Sequence, residues 1–277
     1  MIMSIQATGL RTAGKTKLLL AAVMAAGAAL ALSSTSAWAN PTNVIFSEAF
    51  GGTATGVLSK TSPTTDTPGV AWVNQAGYGD FLDNGTVTLS TAGYGGEASD
   101  YLDYNITAGN TYTLSATLSP SNPAPGSGGW IGITFGTAIL GGASGPGILS
   151  HDETNNTTHN WAPARIQTFE DGTNQTSFSG INNQPLNETA EVVLTAPTTG
   201  NWTADYYYNG SLLGTYTYTT APTIGGVTIA ADSGAPFNGA ITNFELTQTS
   251  LATPEPASIG LLGLGAVGLL LARRKRA

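Results

Sequence analysis

Apolar and polar positions alternate in short runs through the middle of the chain, with Gly, Pro and Asn between the runs. Strict alternation over four to eight residues is the signature of a half-buried β-strand, while a sustained 3.6-residue period, which a helix would show, is scarce. The pattern predicts strands at Val44–Phe50, Thr86–Ser90, Tyr101–Ile106, Tyr112–Leu118, Trp130–Phe135, Arg165–Phe169, Val192–Ala196, Trp202–Tyr208, Leu212–Tyr218, Val227–Ala231 and Ile241–Thr247. Thr, Tyr, Val and Ile dominate them, as a pleated surface favours. Asn209-Gly210 lies between two such runs and supplies the positive φ values of a tight primed turn. On the first arm of that hairpin Trp202, Ala204, Tyr206 and Tyr208 share one face, the expected core face, and Thr203, Asp205 and Tyr207 share the other. Eleven short strands with polar loops predict an all-β fold, a two-sheet antiparallel β-sandwich of the jelly-roll kind.

Both ends follow a different pattern. Leu18 to Leu32 is apolar all round, preceded by Arg11, Lys15 and Lys17 and followed by Ala37-Trp38-Ala39. A basic start, an apolar run and a small-x-small site predict a signal peptide over 1–39, cut between Ala39 and Asn40. At the other end Ala257 to Ala272 is a 16-residue apolar stretch before Arg273, Arg274, Lys275 and Arg276. As a helix it spans ~24 Å, short of a hydrocarbon core of ~30 Å. It suits a temporary membrane stop, with the basic cluster held in the cytoplasm. The domain plan is therefore 1–39 signal peptide, 40–252 β-sandwich and 253–277 C-terminal apolar segment.

Charge narrows the function. Only 9% of the 277 residues are charged, where about 25% is usual. Between Asn40 and Ala252, two bases, Lys60 and Arg165, face 16 acids, a net of −14. A nucleic-acid partner is excluded, since phosphate needs a basic patch. The absence of Cys removes disulfides, thiolate metal sites and thiol nucleophiles.

Pro254-Glu255-Pro256, the Gly-rich apolar run and the closing Arg cluster together resemble the PEP-CTERM sorting signal of exopolysaccharide-producing Gram-negative bacteria. The resemblance implies recognition of the Pro-Glu-Pro region by an exosortase-type membrane sortase, after passage through the secretion machinery. It also implies insertion in the inner membrane through the C-terminal helix, then delivery to the cell surface or extracellular matrix. The body resembles concanavalin A-like, or laminin-G-like, jelly rolls. The pieces that carry this are Phe46-Ser47-Glu48-Ala49-Phe50, Thr111 to Leu118, Trp130 to Phe135, the Asn209-Gly210 hairpin and Ala240 to Thr247.

Candidate chemistry is sparse. A glycosidase needs two carboxylates flanking the bond, and glucanases of the resembled superfamily carry them as Glu-x-Asp-x-x-Glu or a one-residue-shorter variant, a run this chain lacks. The nearest groupings are Asp100/Asp103, Asp152-Glu153, Glu170-Asp171 and Glu188/Glu191, with Asp152-Glu153 and Glu170-Asp171 read as solvated turns. His151 and His159 bracket a polar stretch with Asp152 and read as surface loop residues. No catalytic residues and no required cofactor are expected. Calcium is the candidate metal, with oxygen donors at Asp80 and Asp83, and the resemblance to calcium-binding jelly rolls adds Glu48 and Asn243, although Thr242 stands where those modules carry Asp. Tyr78, Tyr94, Trp130, Trp161, Tyr207 and Tyr216 are candidates for stacking on sugar rings. The expected function is a non-enzymatic, exported, surface- or matrix-associated protein, associated with exopolysaccharide. A lectin-like carbohydrate-binding module and a divergent glycoside hydrolase remain open alternatives.

Overall fold

The computed structural model describes residues 40–50, 56–58, 70–83, 87–89, 97–120, 129–138, 144–152, 165–170, 187–233 and 239–251. All but Asn40 belong to one compact unit, Pro41–Leu251. The described residues form two antiparallel sheets. The first contains β1 (Thr42–Glu48), β2 (Gly56–Val57), β4 (Phe81–Asp83), β5 (Val87–Leu89), β7 (Asn110–Ser119), β11 (Glu188–Ala196), β12 (Thr203–Tyr208), β13 (Ser211–Thr217) and β15 (Ala240–Ser250). Its order is β13-β12-β11-β7-β15-β5-β4-β2, and β1 also pairs with β15. The second has the order β10-β9-β8-β14-β6-β3, made of β3 (Val73–Asn74), β6 (Ala98–Asp103), β8 (Gly129–Gly136), β9 (Ser144–Asp152), β10 (Arg165–Phe169) and β14 (Gly226–Ser233). The predicted sandwich is the fold found. The signal and C-terminal helices expected at its flanks lie outside the described residues.

The core lies between the sheets. Tyr112, Leu114, Ala116 and Leu118 of β7 face Ile131, Ile133 and Phe135 of β8 across it, all fully buried. Phe50, Trp72 and Phe244 form one aromatic chain, with ring centroids 6.1 and 5.1 Å apart. Phe46, Tyr104 and Tyr112 form another, at 5.7 and 6.1 Å. Such tilted and edge-on contacts add to what burial alone contributes.

The hairpin is as its sequence dictates. Asn209 has φ 49° and Gly210 φ 71°, the pair of left-handed residues that a primed turn demands. Trp202, Ala204, Tyr206 and Tyr208 are buried, whereas Thr203, Asp205 and Tyr207 lie on the other face. A register shift between Tyr206 and Tyr207 admits one extra residue in β13.

Strand β9 was not among the predicted strands. It contains Gly145-Pro146-Gly147, which reads as a break. The sheet accepts it for steric reasons. A Cβ at Gly147 would lie 2.6 Å from Thr134 Oγ1, and one at Gly145 2.9 Å from the Phe135 carbonyl oxygen. Pro146 falls beside the register shift between Thr134 and Gly136, where a missing N–H disrupts the ladder least.

The two strand ends nearest the termini meet. Thr42 pairs with Thr249, and their hydroxyl oxygens are 2.9 Å apart. The pairing then runs to Glu48 opposite Phe244. Leu251 N–H donates to the Gly109 carbonyl at 2.8 Å, closing the far end of β15.

Candidate functional site

The face of each sheet turned away from the core is where a ligand can be met. On the six-stranded sheet this face carries a second apolar cluster, Leu149, Phe169 and Ala230, with half-buried Trp130 packed against it. Gly132 makes the cluster possible. A Cβ there would lie 2.1 Å from Leu149 Cδ2, so the Leu149 side chain lies flat across the glycine. Trp130 pairs with His151 in the ladder, and His151 Nε2 sits 2.9 Å from Gln167 Oε1. His151 and Gln167 are each only 5% exposed. The reading of His151 as a surface loop residue is therefore corrected: it is a buried strand residue, because β9 continues through it to Asp152.

Three tyrosine hydroxyls reach across the core to β9, β10 and the residue that follows β10 in the same sheet. Tyr206 donates to the Phe169 carbonyl at 2.7 Å. Tyr218 donates to the Glu170 carbonyl, and Tyr208 lies 3.5 Å from Ser150 Oγ. Burial pushes the Tyr206 phenol well above its ordinary pKa, and Tyr208 upward too. Glu170 is 9% exposed, which corrects its expected place in a solvated turn.

Asp100 is the most perturbed carboxyl. It is fully buried on β6, on the same side as Ala98 and Leu102. Its Oδ2 accepts the Phe81 N–H at 2.9 Å and its Oδ1 accepts from Asn74 Nδ2 at 3.2 Å. Desolvation raises its pKa to about 8 against the lowering effect of the Phe81 bond, and the neighbouring Asp80 carboxyl pushes the same way. Asp100 thus ties β4 of one sheet to β6 of the other as a neutral acid. Sequence reading grouped it with Asp103, which is exposed at the far end of the strand. The signal available was Asp in a strand between apolar Ala98 and Leu102, where a solvated carboxylate has no place.

On the nine-stranded sheet the outward face is polar and hydroxyl-rich. Successive pairings place Thr217, Thr203, Thr195, Thr111, Thr249 and Thr42 in one row across six strands. A parallel row holds Thr215, Asp205, Val193, Thr113, Thr247 and Val44. A third holds Leu212, Tyr207, Glu191, Ser115, Glu245 and Ser47. Burial raises the Glu191 carboxyl. No sequence pattern within one strand announces these rows, since each row takes a single residue from each strand.

Of the calcium candidates, Glu48 and Asn243 turn to opposite faces of their sheet. Glu48 is 7% exposed and its Oε1 accepts the Phe50 N–H at 3.0 Å, so it caps its own turn on the core side. Asn243, with φ 53°, is exposed and reaches Thr117 Oγ1 at 3.4 Å on the outward face. Asp80 lies beside Asp100, and the Asp83 side chain is outside the described residues. Among the described residues no three His, Asp or Glu side chains gather to hold a metal. Of the sugar-stacking candidates, Tyr78, Trp130, Tyr207 and Tyr216 are half-buried, and Tyr216 packs edge-on against Tyr218 at 4.9 Å. Tyr94, Trp161, His159, Glu153, Asp171, Ala37 and Ala39 lie outside the described residues, as do Pro254, Glu255, Pro256 and the basic cluster Arg273 to Arg276.

Comparison with known proteins bears on the two parts of the chain separately. Among curated proteins, none matches the chain by sequence. Among solved structures, a Bacillus subtilis protein with a galectin-like fold is similar at 11% identity and TM-score 0.44, over 76% of this chain and 97% of that one. A legume lectin-like domain from Entamoeba histolytica is similar at 14% identity and TM-score 0.41, over 66% and 90% of the two chains. The Emp47p carbohydrate recognition domain is similar at 10% identity and TM-score 0.41, over 72% and 95%. At the C-terminal end the finding is one of sequence: residues 252–276 match the family profile of the PEP-CTERM protein-sorting motif, and the chain carries that motif.

Proposed function

We propose that this chain is an exported, non-enzymatic protein of the cell surface or extracellular matrix, sorted through its C-terminal motif and associated with exopolysaccharide. The motif at 252–276 carries the reading. The body supports it: the net charge of −14 between Asn40 and Ala252 suits an extracellular, water-facing domain. The most perturbed carboxyl, Asp100, is bound to the Phe81 backbone inside the sandwich, where its role is structural. The test is Glu255→Ala in a host with the sorting machinery. The variant is exported but stays in the membrane fraction, because the apolar segment still stops there. Processing and release at the wild-type rate overturn the reading.

A lectin-like reading has one observation of its own. Trp130 lies half-buried on the outward face of the six-stranded sheet, packed against Leu149, Phe169 and Ala230. Such an aromatic surface is what a pyranose ring stacks on. If it operates, Trp130→Ala abolishes binding on a glycan array while the thermal melt of the protein stays within a few degrees.

A further inference from the structure

The outward threonine row of the nine-stranded sheet has a regularity that β-propensity alone does not require. Six strands each place a Thr in it: Thr217, Thr203, Thr195, Thr111, Thr249 and Thr42. The four central members are half-buried, and the two outer ones are exposed. Strands lie ~4.8 Å apart, so the row presents one hydroxyl and one methyl at each such step for ~24 Å. That step is comparable with the length of one pyranose ring along an extended chain. A Thr side chain, with its methyl beside its hydroxyl, offers both contacts that a sugar ring can use, an apolar C–H face and a donor–acceptor O–H. At one end of the row the Thr42 and Thr249 hydroxyls stand 2.9 Å apart.

Charge and shape select the occupant. Among the described residues the three rows of this face carry Asp205, Glu191 and Glu245 and no base. A polyanion is repelled, while the hydroxyls of a neutral polymer find acceptors. Adjacent strands in a sheet turn by ~20–25°, so the row follows a twisted path. A rigid crystalline plane meets such a path at few points, and a single pliable chain follows it throughout. We infer that this threonine row is a docking track for a neutral, extended polysaccharide chain. The inference rests on the exopolysaccharide reading above and names the surface and the chemical class.

The test uses the full chain in a mild non-ionic detergent, with three probes: the host's own matrix polysaccharide, amorphous cellulose as a neutral glucan, and alginate as a polyanion. Thr111→Val combined with Thr195→Val removes two central hydroxyls and keeps shape and strand preference. The wild-type chain co-sediments with amorphous cellulose, the double variant loses at least tenfold in affinity with its melting temperature unchanged, and Trp130→Ala on the other sheet binds as wild type. The inference is overturned if the double variant binds equally well, if Trp130→Ala abolishes binding instead, if alginate binds as tightly as the glucan, or if the wild-type chain stays in the supernatant when the cellulose is pelleted. The underlying reading fails separately, when the wild-type chain does not co-sediment with the host polysaccharide.

Discussion

Strand β7 of the nine-stranded sheet alternates buried and half-buried residues without a break from Asn110 to Ser119, whereas β8 of the six-stranded sheet buries every residue except Trp130. The first sheet has one dry face and one wet face. The second is dry on both sides over β8, β9 and β10, with Leu149, Phe169, Thr134, His151 and Gln167 all buried on the face away from the main core. A sheet wet on one side tolerates change at every second residue. A sheet dry on both sides has no neutral positions, and its close approaches are met by Gly and by satisfied polar pairs such as His151–Gln167.

The most severe way to probe this difference is Gly132→Val. Its Cβ would meet Leu149 Cδ2 at 2.1 Å and the Ile148 carbonyl at 2.6 Å, and the backbone atom cannot give way. The expected loss is about 3 kcal/mol or more, read as failure to fold or a collapsed denaturant midpoint. If Gly132→Val melts like wild type, the second face is not packed as described.

Asp100 offers a comparison by pH. Its folded pKa of about 8 stands above the unfolded value of 3.8. The unfolded chain therefore binds fewer protons between these values, and stability falls as pH rises. The contribution is complete below the unfolded pKa, is lost through the window from 3.8 to about 8, and changes no further above it. The fall is on the order of a few kcal/mol. Asp100→Asn, which can still accept the Phe81 N–H, flattens the slope, and urea melts across that window measure it. An unaltered slope in the variant would assign the pH dependence elsewhere.

Tyr206→Phe tests the bridge between the sheets. It keeps the ring and leaves the buried Phe169 carbonyl without its 2.7 Å donor, a loss of about 1–3 kcal/mol visible as a lower melting temperature. Gly210→Val acts on the wet sheet's edge hairpin. There is open space around the position, so the strain is all in the backbone, at φ 71°, and costs about 1–3 kcal/mol. The smallest effect is expected at Thr113→Val on the wet face, within ~0.5 kcal/mol. A larger loss there would show the outward face to be structural.

Both sheets are legible in sequence: every strand of the wet sheet except β2 and β4, and every strand of the dry one except β3 and β9, overlaps a predicted run. On the wet sheet alternation named β7, β11, β12 and β15 directly, and Asn209-Gly210 named its turn, because a one-sided environment writes a two-residue period into the chain. On the dry sheet Tyr101–Ile106, Trp130–Phe135, Arg165–Phe169 and Val227–Ala231 overlap β6, β8, β10 and β14, named by their β-rich composition. Strand β9 was not read, since the close approach to β8 that demands Gly145 and Gly147 looks in sequence like a loop. Strands β3 and β4, of two and three residues, are too short for any period. The site residues were harder still. Asp100, buried between Asn74 and the Phe81 N–H, draws its character from segments 19 and 26 residues away. His151 was misplaced for the same reason: its partner Gln167 is 16 residues on, across a strand pair no local pattern announces. The threonine row takes one residue from each of six strands, so it exists only once the register is set.

The pairing of Thr42 with Thr249 governs how the body carries mechanical load. Pulled apart through Pro41 and Leu251, β1 and β15 separate one hydrogen-bonded pair at a time, starting at the Thr42–Thr249 end, and the force at any instant falls on a single rung. Pulled through Leu251 alone, against a grip spread over the sheet face, β15 must slide past β7 on one side and β1 on the other. Antiparallel hydrogen bonds lie perpendicular to the strands, so both ladders are then sheared together and their rungs share the tension. The same two strands make a zipper for a pull between the ends and a lap joint for a pull along the last strand.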